Sequence, residues 1–323
     1  MQVSIIIPNY NGKQYIKECL DALTHQTYTN YEVLFVDNGS LDGSRSYMKE
    51  NYPHIQMIPL DKNYGFSYAV NVGIRASTAE YVVLLNNDTA VEPSWLESLV
   101  RCIQSDPQIF SCSSKMIRYH ERHLIDDAGD EYCILGWAYK RGDGQPLERY
   151  NQTREVFSAC AGAAIYRRSI FKEIGYFEES FFAYLEDVDI SYRARIYGYK
   201  NLYCSDALVY HIGSATTGAT KYNSFKVKLA ARNNIYLAYK NMPTLQRWVN
   251  KPFLSLGWLI KYMFFIKKGY REEYMAGTRE ARATIKDIQR VPYQKRHFKN
   301  YIKIQGLLVG NTWGYIRAKM MDR

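Results

Sequence analysis

The sequence predicts an α/β protein, and three observations carry that prediction. Over the first 115 residues, apolar runs of strand length alternate with stretches whose apolar residues recur at helical spacing. The runs are unbroken by polar alternation, as in a parallel sheet with helices on both faces. Three of them end abruptly in polar clusters: Pro8-Asn9-Tyr10-Asn11, Asp37-Asn38-Gly39-Ser40 and Asn86-Asn87-Asp88. One such cluster is an ordinary turn, because Asn, Asp, Gly and Ser form turns for local reasons. Three at successive strand ends converge in space, on the side of a parallel sheet where ligands bind.

Residues 3–7 read as the first strand, closed by Pro8, and 14–23 as a helix with Tyr15, Ile16, Leu20 and Leu23 on one face. Residues 32–36 form a second buried strand, 41–52 a helix, 55–60 a short strand and 66–76 another helix. The apolar run 81–85 is a third major strand. Residues 92–104 read as a helix, with Pro93 near the first turn where its missing N–H costs nothing, and 109–113 as a strand. Residues 115–153 read as irregular, a hairpin or a loop, with Gly136, Gly142 and Gly144. Order returns over 157–166, where small residues at 159–164 point to close backbone packing. A helix at 168–174, an aromatic turn at 181–184, a helix at 186–197 and a short strand at 207–211 follow. Beyond Thr220 the pattern is mostly helical.

The 323 residues suit one large domain or two modest ones, and 47% hydrophobic with 23% charged residues excludes a disordered or collagenous chain. Six scattered cysteines with no C-x-x-C pair argue against a zinc site and fit reduced thiols in a cytoplasmic compartment. The start has no basic n-region and its apolar run stops at Pro8, unlike a signal peptide. Charge divides the chain in two. Residues 1–220 hold 20 basic and 27 acidic side chains, whereas 221–323 hold 22 basic and 5 acidic. An acidic body with a basic tail suggests an anionic partner for the tail, either nucleic acid or a lipid surface, though a solvated helical face is the plainer explanation. Residues 251–268 are the most apolar part of the tail, but Lys261 interrupts them and the runs are too short to span a bilayer. Flanking lysines and aromatics suit either a helix in the membrane interface or one packed on the main body.

Among the chemistry-bearing residues, Asp88 follows a buried strand and an Asn pair. Such a carboxylate can hold Mg²⁺ or Mn²⁺ shared with phosphate oxygens, or simply cap a turn. Glu186-Asp187-Val188-Asp189 opens a predicted helix, where acidic side chains complement the helix dipole. The cluster also follows Phe181-Phe182-Ala183-Tyr184-Leu185, and an aromatic pocket raises a carboxyl pKa towards the range of a general base. His211 stands near the end of the last strand as a third candidate ligand.

Five segments together resemble the ordered motifs of family 2 glycosyltransferases with the GT-A fold. They are 3–11 (VSIIIPNYN), 33–40 (VLFVDNGS), 63–71 (NYGFSYAVN), 82–88 (VVLLNND) and 182–193 (FAYLEDVDISYR), in order over about residues 1–218. The nearest likeness is to rhamnosyltransferase-like members of bacterial polysaccharide biosynthesis. The resemblance implies a metal-dependent, inverting transferase using a nucleotide-diphosphate sugar. It implies that Pro8, Asn9 and Asn11 line the nucleotide pocket, that Asp37 bonds the base, and that Asn63, Asn71 and Asn87 help hold the donor. Asn87-Asp88 stands at the family's D-x-D motif with Asn86 in place of the first acid, so Asp88 would be the metal ligand, with Mg²⁺ or Mn²⁺ as cofactor. Asp187, with Glu186 beside it, matches the catalytic base. His211 in Tyr210-His211-Ile212-Gly213-Ser214 matches a metal- or diphosphate-contacting histidine. Trp137, Arg141 and Tyr184 are candidates for acceptor contact, since aromatic faces pack on sugar rings.

The expectation is therefore a catalytic domain over 1–220 and a basic, mainly helical region over 221–323 that docks on membrane or acceptor. Donor dTDP-rhamnose comes first, with a UDP-hexose or UDP-N-acetylhexosamine as the alternative; the acceptor is a hydroxyl of a glycan or lipid-linked saccharide. The expected location is cytoplasmic, peripheral on the inner face of the plasma membrane. A nucleotidyltransferase would show a basic, Gly-rich loop after the first strand, where this chain has Asn9-Tyr10-Asn11-Gly12-Lys13. The tail carries no nucleic-acid-binding signature, and the acidic body opposes such a partner. A catalytically inactive nucleotide-sugar-binding scaffold is the remaining alternative from another class.

Overall fold

The computed structural model describes residues 1–213 and 222–321. The end of the His211 motif at Ser214 and the expected boundary at 220/221 lie outside the described residues.

The chain begins β1 (Val3–Asn9), α1 (Lys13–Thr24), β2 (Tyr31–Asp37), α2 (Ser44–Asn51), β3 (Gln56–Pro59), α3 (Phe66–Ala76) and β4 (Tyr81–Leu85). It continues through β5 (Thr89–Val91), α4 (Trp95–Gln104), β6 (Ile109–Arg118), β7 (Ile125–Asp127), β8 (Asp130–Tyr132) and β9 (Ala138–Lys140). Then come β10 (Arg154–Glu155), β11 (Ala163–Arg167), α5 (Phe171–Ile174), α6 (Glu186–Tyr197) and β12 (Lys200–His211). Four helices follow: α7 (Ser224–Asn241), α8 (Thr244–Lys267), α9 (Arg271–Thr284) and α10 (Phe298–Met321).

The main sheet has the order β10-β12-β6-β11-β4-β1-β2-β3. β4, β1, β2 and β3 run parallel, which sets the polar ends of β1, β2 and β4 side by side. The unbroken apolar runs have the expected meaning. Ile5 and Ile7 point into one core with α1 and α4, while Ile6 between them points into a second core with α3, α5 and α6. Burial on both faces removes any reason for polar alternation.

The sheet is mostly parallel, as the sequence predicts, with β11 antiparallel between β4 and β6. In the stretch 115–153 the hairpin is present as β8 and β9, and the correction is that β6 runs on to Arg118. Ser111, Ser113, Ser114 and Lys115 are buried in β6, and Ser114 accepts from the Trp95 indole at 2.8 Å. Buried polar residues with partners leave no apolar signal to read. Finally, the short strand expected at 207–211 is the twelve-residue β12, whose first half pairs with β6 through residues such as Asn201.

The basic C-terminal helices pack on the rest. Tyr132, Phe157, Val188 and Tyr192 share one apolar core with Leu237, Ala281, Ile304 and Leu308. α7 is capped by Asn223, whose side chain accepts from Lys226 N at 2.9 Å. α8 turns Asn250 and Gly257 inwards, with the glycine against the Leu135 carbonyl where a Cβ would stand 1.9 Å away. Its outer face leaves Trp248, Phe253, Leu256, Leu259, Ile260 and Met263 exposed. Among the described residues, no helix is long and apolar enough to cross a membrane.

Candidate active site

A cavity of about 890 Å³ opens beyond the ends of β1, β2 and β4, and α6 and α7 form its opposite wall. Pro8, Asn9, Asn63, Asn87, Asp88 and His211 line it, as do Tyr184, Glu186 and Asp187. The polar strand ends therefore do converge, and their amides form a linked network. Asn87 Nδ2 donates to Asn9 Oδ1 at 2.6 Å, and Asn9 Nδ2 donates to Asp37 Oδ1 at 3.1 Å and to Ser40 Oγ at 3.0 Å. Asn38 Nδ2 donates to Asn63 Oδ1 at 3.0 Å. With their own donors spent on one another, these side chains are held in fixed rotamers around the cavity floor.

Five of the residues singled out from sequence lie elsewhere. Asp37 is buried behind Asn9, where Arg45 Nε donates to it at 2.5 Å, and Asn11 reaches sideways to accept from Leu41 N at 2.8 Å. Asn71 fastens α3 to the segment before α6, donating to Phe177 O at 2.8 Å and accepting from Phe177 N at 3.0 Å. Arg141 turns away, donating to Ala128 O at 3.0 Å and stacking over Tyr150 and Tyr203. Trp137 is buried against Tyr315 and lines a separate cavity of about 400 Å³.

The Glu186-Asp187-Val188-Asp189 cluster separates into distinct environments. Asp189 is buried in an ion pair with Arg193 at 2.8 Å and Lys240 at 3.3 Å, so its charge is spent on structure. Asp187 faces the cavity, accepting from Val188 N at 2.8 Å and Ala161 N at 3.3 Å. Burial raises its pKa above the ordinary carboxylate value, and those backbone donors limit the rise. Glu186 is buried beside it, and its Oε2 has no hydrogen-bond partner among the described residues. Burial first and the Asp187 charge second push its carboxyl well up. The turn leading into α6 holds three non-glycine residues at positive φ: Phe182 (63°), Tyr184 (71°) and Leu185 (70°). Asn233 on α7 clamps this turn, its side-chain amide donating to the carbonyls of Phe181, Ala183 and Tyr184 at 2.8–3.0 Å. Gly65 completes the fit, because at φ +89° a Cβ there would lie 2.6 Å from Phe182 O.

On the opposite wall, His211 Nε2 stands 3.5 Å from Asp88 Oδ1, and His211 Nδ1 is 2.8 Å from Asp126 Oδ2. Lys140 in turn pairs with Asp126 at 3.1 Å. Burial pulls the imidazolium pKa down, but the Asp126 and Asp88 carboxylates outweigh it and push it up to about 9. Asp88 and His211 offer one carboxylate oxygen and one imidazole nitrogen, a donor set that suits Mn²⁺ and accepts Mg²⁺. The Asp126 contact at Nδ1 is the kind that orients a metal-binding imidazole.

Sequence reading missed Asp126, Asp127, Asp130, Lys140 and Cys160, four of which line the cavity. Asp127, Asp130 and Cys160 present ligand atoms within 4.8 Å of one another, and burial raises both aspartates, Asp127 to about 7. The available signal was the run Asp126-Asp127 followed by Asp130-Glu131, inside the stretch read as irregular.

Comparison with known proteins gives a consistent result. The family model described as glycosyl transferase family 2 matches residues 4–175. An uncharacterized glycosyltransferase of Haemophilus influenzae is 31% identical over 144 residues, which cover 44% of this chain and 42% of that protein. The chain thus spans less than half of that relative. The N-acetylglucosaminyl-diphospho-decaprenol L-rhamnosyltransferase of Mycobacterium tuberculosis is 26% identical over 242 residues, 66% of this chain and 77% of the relative. Among solved structures, the mannosyltransferase PcManGT of Pyrobaculum calidifontis, in complex with GDP-Man and Mn²⁺, superposes with a TM-score of 0.53. It is 16% identical, and the match covers 95% of this chain and 84% of that one.

Proposed function

Because the chain belongs to glycosyl transferase family 2 and has the GT-A fold, we propose that it is a metal-dependent, inverting enzyme of cell-surface polysaccharide assembly. One observation carries the reading: Asp187, raised by burial, faces the same cavity as the Asp88–His211 pair and the Asn9–Asn87 network. Pro8, Asn9, Asn63 and Asn87 take the nucleotide of the donor, with Asp37 and Asn11 bracing them from behind. Asn71 braces the segment before α6. Asp88 and His211 hold Mn²⁺ or Mg²⁺, which when bound neutralises the diphosphate leaving group. Asp187 accepts the proton of an acceptor hydroxyl as that oxygen attacks the anomeric carbon on the face away from the nucleotide. A single displacement inverts that carbon, and the carboxylates nearby stabilise the positive charge of an oxocarbenium-like transition state. Glu186 lies buried beside Asp187, and burial together with the Asp187 charge pushes its carboxyl well up. Tyr184, at the cavity wall, meets the acceptor sugar.

The rhamnosyltransferase relative supports a deoxyhexosyl donor carried on dTDP, and a UDP-linked hexose or N-acetylhexosamine is the second reading. The acceptor is a hydroxyl of a glycan or lipid-linked saccharide. Residues 1–220 act as the catalytic part, and 221–323 as a basic helical part that rests on an anionic membrane surface. That surface is the inner face of the plasma membrane. The exposed apolar face of α8, free of acidic residues and flanked by Lys251, Lys267 and Lys268, supports this placement.

A thermal-shift panel of dTDP, UDP, GDP and CDP, each with and without Mn²⁺, tests the reading. A ligand that binds the native state raises its melting temperature. The expected outcome is a Mn²⁺-dependent rise with dTDP or UDP that Asp88→Ala abolishes. No rise with any nucleotide would overturn the metal-dependent donor pocket.

A further inference from the structure

Asp127, Asp130 and Cys160 form a cluster that the transfer reaction does not use. Asp127 ends β7, Asp130 begins β8, and Cys160 lies in the segment before β11. All three line the reaction cavity, and their ligand atoms lie within 4.8 Å of one another. The backbone holds them in place. Asp130 and Ser158 exchange backbone hydrogen bonds at 3.0 Å in both directions, which fastens the β7–β8 turn to the cysteine-bearing segment. Gly129, between the two aspartates, has φ +95°, and a Cβ there would lie 2.7 Å from Val156 Cγ1, so the turn needs glycine. Gly129 N donates to Asp127 Oδ1 at 2.6 Å, which fixes the carboxyl. Asp127 Oδ2 has no hydrogen-bond partner among the described residues, although the residue is fully buried. Lys140 gives its ammonium to both oxygens of Asp126 at 3.1 Å, and neither Asp127 nor Asp130 has an ion pair among the described residues.

A buried carboxylate is paired or holds a metal ion. With no exposed surface, Asp127 is out of reach of a sugar hydroxyl, whereas an ion seated among the three ligand atoms reaches it. Two carboxylates and one thiolate differ from the Asp88–His211 pair, because sulfur selects Zn²⁺ over the harder Mg²⁺ and Mn²⁺. Zn²⁺ holds sulfur at about 2.3 Å and carboxylate oxygen at about 2.0–2.2 Å, so ligand atoms this close come onto one ion by side-chain rotation. We propose that Asp127, Asp130 and Cys160 form a Zn²⁺ site, separate from the Asp88–His211 pair, whose fourth position opens to the cavity they line. A single sulfur suffices, so no C-x-x-C pair is needed. Binding releases the thiol proton to solvent. The ion ties the β7–β8 turn to the segment whose next residue, Ala161, donates its N–H to Asp187 Oδ2 at 3.3 Å. It therefore braces the position of Asp187, and the site itself stands whether or not the transferase reading does.

Co²⁺ titration of the full chain tests this. A cysteine thiolate on Co²⁺ gives a near-ultraviolet charge-transfer band that oxygen and nitrogen ligands do not. The wild type is expected to develop that band, Zn²⁺ to remove it, and an excess of Mg²⁺ to leave it. Cys160→Ser should abolish the band, and Asp88→Ala should keep it. Loss of a partner that merely orients a ligand costs about 10–100-fold in metal affinity, so Asp127→Asn and Asp130→Asn should each raise the Co²⁺ needed for half-saturation by about tenfold or more. Zn²⁺ should also raise the melting temperature of the wild type more than that of Cys160→Ser. No band in the wild type, a band that survives in Cys160→Ser or is lost in Asp88→Ala, or equal Zn²⁺-induced rises overturn the proposal. Should Asp127→Asn fail to fold, Asp130→Asn and the Zn²⁺ competition in the wild type still decide.

Discussion

Asp187 and its neighbours illustrate how position in the fold sorts chemically equal residues. Three carboxylates lie within four positions, yet Asp189 is neutralised by Arg193 and Lys240 while Glu186 and Asp187 face the cavity. Asp187→Asn keeps the size of the side chain and one of its two backbone hydrogen bonds, and removes its basicity. Turnover should fall by roughly 10²–10⁴, with Mn²⁺-dependent nucleotide binding unchanged in the thermal-shift assay; near-normal turnover would reassign the base. Asp127 makes a different prediction. Its pKa rises from the ordinary 3.8 to about 7, mainly through burial. Between those values the native state holds a proton that the unfolded chain has released, so stability falls as pH climbs through this window. Asp127→Asn removes that ionisation. The melting temperature of the variant relative to the parent should rise from pH 4 to pH 7 and level off above it, and a constant difference would refute the shift. The run of acids that contains Asp127 was visible in the sequence, but no local pattern says which carboxylates end up facing one another.

At the scale of elements, the turn before α6 carries the greatest strain and the clearest dependence on a distant residue. Each non-glycine residue in the left-handed region costs about 1–2 kcal/mol, and three occur within 182–185. Asn233, more than 45 positions away on α7, compensates by satisfying three carbonyls of this turn. Asn233→Ala takes this donor from the Ala183 and Tyr184 carbonyls, while Phe181 O keeps Ala183 N and Arg232 Nη2. Chemical denaturation should show a loss of about 1–3 kcal/mol, and turnover should drop more than nucleotide affinity, because the turn aims Asp187 and not the nucleotide pocket. A variant with parental stability and rate would show that the clamp is incidental. The sequence gives the aromatic turn and the helix after it, since both are local. It does not give Asn233 a role, because an Asn in a helix is unremarkable until its partner is known.

Across the whole molecule, the basic tail is part of the structure that holds the site. Leu237, Ala281, Ile304 and Leu308 share a core with Tyr132, Phe157 and Tyr192, so deleting the tail would expose that core and confuse any binding assay. Substitution on the outer face of α8 avoids this. Ile260 and Leu256 are about half exposed, at 46% and 48%, and changing both to Glu leaves the interior untouched. Co-sedimentation with anionic phospholipid vesicles should fall severalfold in Leu256→Glu/Ile260→Glu, and the parent should lose binding as salt rises, because basic side chains contribute through screened attraction. Undiminished binding of the double variant would exclude α8 as the contact.

The sequence by itself determined the alternation of strand and helix in the first 115 residues, the double-sided burial of β1, β2 and β4, and the convergence of their polar ends. Those properties follow from periodicity and chain direction, which are written in neighbouring residues. Only the tertiary structure decided that Asn71 and Arg141 donate to the Phe177 and Ala128 carbonyls, that Asp126 backs His211, and that β6 and β12 run far beyond their apolar cores. It also decided that Lys261 joins two cavities. In each case the deciding partner is remote in sequence, and burial of a polar group is favourable only where such a partner meets it.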